Sequence, residues 1–131
     1  MSRSGYLDDF DCERWAMIRW RGAVESALKG RRGQAFLKEL LAALDAMPEK
    51  KLIAEELESD GQVCALGAVG RARGIVTDDL DPEDYDSVAS VLEIAPAMVR
   101  EIAFMNDDIY DKTPEARFLR MRNWVQRQIR S

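Results

Sequence analysis

"GQAFLKELLAALDAMP", residues 33–48, decides the fold class. Phe36, Leu37, Leu40, Leu41 and Leu44 share one wide stripe at helical spacing, and Pro48 ends the run. Upstream, "CERWAMIRWRGAVESALKG" repeats the pattern with Met17, Trp20, Val24 and Leu28, with Asp11 as N-cap and Gly30 as stop. The link between the two helices, "GRRG", is short enough to favour an antiparallel pair. Downstream, Asp81-Pro82-Glu83-Asp84 and Thr113-Pro114-Glu115 each read as N-cap, proline and acidic first turn. The second opens a helix carrying Phe118, Met121, Val125 and Ile129. These signals predict a mainly α, single-domain bundle of about five or six helices over residues 11–131, preceded by a flexible segment over 1–10. Asp60-Gly61 suits a type I′ turn and a short β-hairpin near residues 55–65, with Leu57 and Val63 facing the same way. A helix through Glu58 followed by a loop is the other reading.

"DGQVCALGAVGRARG", residues 60–74, concentrates four of the eight glycines. Gly67, Gly70 and Gly74 match neither dinucleotide-binding nor P-loop spacing, and no lysine follows. We read a flat small-residue face packed closely by another helix, with Gly74 as the C-terminal cap.

At 131 residues, 47% apolar and 33% charged, the chain is long enough for a core without disulfide or metal staples. No apolar run approaches a membrane span, and the start "MSRSGYLDDFDCERW" has no secretory apolar region. Cys12 and Cys64 lie far apart, so reduced thiols in a cytoplasm are expected. Histidine is absent, which excludes Ser-His and Cys-His nucleophile pairs and removes the commonest metal ligand. We therefore expect no enzyme, no catalytic residues, no metal and no cofactor. The acidic cluster after Val76 fails as a calcium loop, because the sixth and twelfth positions from Asp79 hold Asp84 and Ser90.

The net charge of −5 is unevenly spread. Val76–Asp111 holds eleven acids and one base, Arg14–Arg32 six bases and one acid, and Ala116–Ser131 five arginines and no acid. Two candidate surfaces follow. The acidic one, for a protein partner, comprises Asp78, Asp79, Asp81, Glu83, Asp84 and Asp86, with Glu101, Asn106, Asp107 and Asp108 from "EIAFMNDD". The basic one, for nucleic acid, comprises Arg19, Arg21, Arg31 and Arg32 at the first helix junction, with Arg120, Arg122 and Arg127 expected to join them. A solvated turn, with charges offset between neighbouring helices, is the plain alternative. "SVASVLEIAPAMVREI" has the outline of a helix-turn-helix through Ala89, Ile94, Val99 and Ile102. Its would-be recognition helix offers only Arg100 as a cation, so we read a packed helix pair rather than a DNA reader.

"GRRGQAFLKELLAALDAMPEKKLIAEELE", "GQVCALGAVGRARG", "LDPED", "EIAFMNDD" and "TPEARFLRMRNWV", in that order, resemble a family of small uncharacterised proteins of tailed bacteriophages and prophages. The resemblance spans about residues 16–127 and is most specific from Gly30 to Gly74. Glu93 departs from the family's glycine, and "IYDK" before Thr113 is short. The resemblance implies a setting rather than a mechanism: a phage gene product in bacterial cytoplasm, acting on a host or phage macromolecule. Interference with a host process or a defence system, as anti-CRISPR proteins do, suits that setting. A homodimer stays open.

Overall fold

The first two helices meet at a single residue. α1 (Arg14–Lys29) and α2 (Arg31–Ala46) are separated by Gly30 alone. The expected four-residue turn is therefore shorter than read: Arg31, Arg32 and Gly33 already belong to α2. Gly33 explains how the helices come so close, because a Cβ there would sit 1.7 Å from the Ala27 carbonyl oxygen. The computed structural model describes residues 14–130, with the side chains of α1 from Met17 onward. The expected cap at Asp11 and the segment 1–10 lie outside the described residues.

Beyond α2 come β1 (Glu58–Ser59), β2 (Gln62–Val63), α3 (Ala65–Ala72), α4 (Tyr85–Leu92), α5 (Pro96–Asp107) and α6 (Pro114–Gln128). Among the described residues the architecture is six helices and one two-stranded antiparallel hairpin. Glu58 pairs with Val63 and Ser59 with Gln62. Asp60 (φ 51°) and Gly61 (φ 78°) both take the positive φ that a type I′ turn requires. Leu57 and Val63 are both buried, as the ribbon reading expects.

α1, α3 and α6 each pack on both α2 and α5, and α4 packs on α5. The core between them is formed by Leu37, Leu40 and Leu44 of α2, Val99 and Ile102 of α5, and Met121 and Val125 of α6, all fully buried. Leu52, from the connection after α2, is also fully buried, and its N–H donates to the Pro114 carbonyl (3.1 Å). Met17 is 44% exposed, so the inward stripe of α1 narrows to Trp20, Val24 and Leu28.

α3 is buried from Ala65 to Gly70. Its glycine face packs within the chain, but the neighbour differs from the expected one. At Gly67 a Cβ would meet the Leu57 carbonyl oxygen at 1.9 Å, so the close partner is the backbone entering the hairpin, not a helix. Gly74, at φ +73°, ends α3 as expected.

Helix caps show one shift. Thr113 caps α6 as read, its hydroxyl accepting from Ala116 N–H at 3.0 Å. For α4 the cap is Asp84, not Asp81: Asp84 Oδ1 accepts from Ser87 N–H (3.2 Å) and Oδ2 from the Ser87 hydroxyl (2.7 Å). Asp81 instead holds an isolated turn, accepting from Glu83 N–H at 2.9 Å. The Asp84 carboxylate thus accepts from both the N–H and the hydroxyl of Ser87, so the helix starts three residues later.

Candidate functional site

The acidic connection between α3 and α4 is anchored at two points. Thr77 is buried, its methyl group close to Gly70, and Leu80 is half-buried, its N–H donating to the Thr77 carbonyl (3.0 Å). With these turned inward, Asp78, Asp79, Asp81, Glu83, Asp84 and Asp86 are all exposed. None of the six forms an ion pair among the described residues. Val76, beside them, is 76% exposed. The Ser87 hydroxyl, and then its N–H, hold the Asp84 carboxyl below the ordinary carboxylate range.

The other half of the expected acidic face lies elsewhere. Glu101 is buried (6% exposed), with Arg21 Nη1 3.6 Å from its Oε1. Asn106 is buried (1%) and joins three parts of the chain. Its Oδ1 accepts from Ala65 N–H at the start of α3 (3.2 Å), and its Nδ2 donates to the Ile53 carbonyl (2.9 Å) and to Asp107 Oδ1 (2.7 Å). Asp107 Oδ1 also accepts from Glu55 N–H (3.0 Å), and Asp108 ends α5. These residues tie the hairpin, α3 and α5 together, so Glu101 and Asn106 are not on the same exposed surface as Asp78–Asp86.

The unfavourable charge at the α5 C-terminus is offset by α6. Arg117 Nε donates to the Asn106 carbonyl (2.9 Å), and Arg120 Nη1 donates to the Met105 carbonyl. Asp111 holds both arginines: its carboxylate pairs with Arg120 through two bonds of 2.8 and 2.7 Å and lies 3.4 Å from Arg117 Nε. The hydrogen bond from Arg120, outweighing the opposing effect of burial, keeps the Asp111 carboxyl low.

Three more arginines are committed too. Arg122 pairs with Asp45 (2.6 Å), and Arg71 lies near Glu58 (3.3 Å). Arg73 grips Glu39 through two 2.6 Å bonds, donates to the Leu92 carbonyl (3.0 Å) and lies over the Phe36 ring. This lock borders a cavity of about 560 Å³ between α2 and α4, with Arg32 and Glu93 on its rim. Sequence reasoning missed the lock, having read residues 60–74 only for their small residues. Arg120 and Arg122 do not join the basic set. Arg19, Arg31 and Arg32 remain exposed, without ion pairs among the described residues. Arg31 and Arg32 border a hollow of about 240 Å³ that also touches Ile94, Ala95 and Met98, and neither α2 nor α5 has a side-chain N-cap there.

The helix-turn-helix outline is a packed pair. Ala89, Ile94, Val99 and Ile102 are buried, and Glu93 adopts the left-handed conformation (φ 62°) at the turn. α5 is the helix that would have to enter a groove, and it exposes only Pro96. Its one cation, Arg100, lies 4.8 Å from the Trp20 ring centre and 5.2 Å from that of Tyr85. Among the described residues no helix is long and apolar enough to cross a membrane, and no cluster of metal-ligating side chains occurs. Compared with known protein families, curated proteins and solved structures, the chain has no significant match.

Proposed function

We propose that the protein is a phage-type, cytoplasmic, non-enzymatic binding protein that engages a host or phage protein through the acidic connection Asp78–Asp86. One observation carries this reading. The carboxylates of Asp78, Asp79, Asp81, Glu83, Asp84 and Asp86 are exposed together and unmatched by any cation of the described chain, whereas Glu39, Asp45 and Asp111 are each matched by arginine. A run of negative charge left open to solvent attracts a basic surface and can compete with nucleic acid for it. Inhibition of a host process or defence system is the role that the phage resemblance adds.

The second reading is nucleic-acid association through Arg31 and Arg32, favoured by their exposure beside two uncapped helix starts. A tagged pull-down from bacterial lysate, half of it treated with nuclease, separates the two. Asp78→Asn, Asp79→Asn, Glu83→Gln and Asp86→Asn together leave the Asp81 turn and the Asp84 cap in place. A stoichiometric protein partner that survives nuclease and is lost with this fourfold variant is the expected result. Loss of all captured material on nuclease treatment, and with Arg31→Ala/Arg32→Ala, would overturn it.

A further inference from the structure

α1 and α6 both pack on α2 and α5, and the space between them is a groove of about 390 Å³, within the size range of small-ligand sites. Four cations border it: Arg21 and Lys29 from α1, Arg127 from the end of α6, and Arg130 just after it. One cation at each helix C-terminus is ordinary complementation of the helix dipole; convergence of four on one concavity is more than that requires. Arg127 and Arg130 have no ion pair among the described residues, unlike Arg117, Arg120 and Arg122 on the same helix.

The groove is also held in shape. Gln34 Nε2 donates to the Leu28 carbonyl (2.7 Å) and the Gln128 carbonyl (3.0 Å), and its Oε1 accepts from Arg130 N–H (2.7 Å). One side chain thus fixes the ends of α1 and α6 and the backbone from which Arg130 projects. Within the groove Glu101 lies 3.6 Å from Arg21, and Glu25 3.6 Å from Lys29. Among the described lining residues, these two carboxylates set against the four cations leave a balance of two positive charges. A phosphate monoester carries about −1.5 to −2 at neutral pH and matches that balance, whereas a long polyanion exceeds it. Trp124 borders the groove and offers an apolar surface beside the cations.

We propose that the α1–α6 groove binds a small phosphate monoester, its phosphate held between Arg127 and Arg130 on one side and Arg21 and Lys29 on the other. This site is separate from the acidic connection and does not depend on it. Isothermal titration of the full chain with adenosine monophosphate, and with adenosine as the control lacking the phosphate, tests it. Saturable binding of the monophosphate, weakened about tenfold or more by Arg127→Glu/Arg130→Glu and changed less than about twofold by Arg31→Glu/Arg32→Glu, is the expected result. Lys29→Gln repeats the test from the α1 side and should also weaken binding. No binding of the monophosphate, equal binding of adenosine, or equal weakening by both arginine pairs would overturn the proposal. So would tighter binding, per phosphate, of a short single-stranded DNA, which would make the groove a nucleic-acid surface instead.

Discussion

Gly22 and Gly67 both sit inside helices, yet their substitutions should have opposite effects. A Cβ at Gly22 meets nothing within 4 Å, so Gly22→Ala should stabilise the protein by about 1 kcal/mol through helix propensity. A Cβ at Gly67 meets the Leu57 carbonyl oxygen at 1.9 Å, so Gly67→Ala should cost about 3 kcal/mol as the hairpin is pushed away. Thermal melts of the two variants, moving in opposite directions, check this. Glu93 is a third backbone case. It holds a left-handed φ of 62° that glycine adopts without strain. Relief of about 1–2 kcal/mol, less the extra freedom glycine gains in the unfolded chain, predicts that Glu93→Gly raises the melting temperature by a few degrees.

At the scale of elements, the α5–α6 junction depends on Asp111, whose side chain is 6% exposed between Arg117 and Arg120. Removing the carboxylate leaves two partly buried guanidiniums facing each other, so Asp111→Asn should cost about 3 kcal/mol at neutral pH. Its folded pKa is depressed by the hydrogen bond from Arg120. The stabilisation is therefore complete above the unfolded value of about 3.9 and is lost as pH falls through the lower folded value. The stability gap between wild type and variant should be flat from neutral pH down to about 5 and close below about 4. Urea denaturation across that range measures it. Glu39 and Asp45 are also depressed, by Arg73 and Arg122 respectively, and add to the acid sensitivity of the wild type.

At the scale of the whole molecule, Arg71, Arg73, Arg117, Arg120 and Arg122 are spent on internal carboxylates, and the Asp78–Asp86 carboxylates face solvent unopposed among the described residues. Neutralising Asp78, Asp79, Glu83 and Asp86 together should therefore leave stability within about 0.5 kcal/mol per site while changing association with a basic partner. Association by the wild type should weaken as salt rises past about 0.15 M, where the screening length is about 8 Å. A thermal melt beside a salt-series binding assay reads both.

The helical class, the stripe of α2, the Asp60-Gly61 turn and the Thr113 cap were legible in the sequence because each is decided within a few residues. Apolar period, positive φ and a hydroxyl two or three residues before an open N–H act locally. The α4 start was misplaced because two aspartates three residues apart both satisfy the local rule, and only the contact with Ser87 separates them. The use of the charged and polar residues was not legible. Asn106 lies 41 residues from Ala65, and Arg122 lies 77 from Asp45. Burial and pairing over such separations depend on which helices come together. From the sequence alone, then, came the elements and the uneven charge. The tertiary structure decided that Asn106 is a buried bond-maker, that Arg120 and Arg122 are spent, and that Asp78–Asp86 stays open, because a charge is available only when packing brings no opposite charge to it.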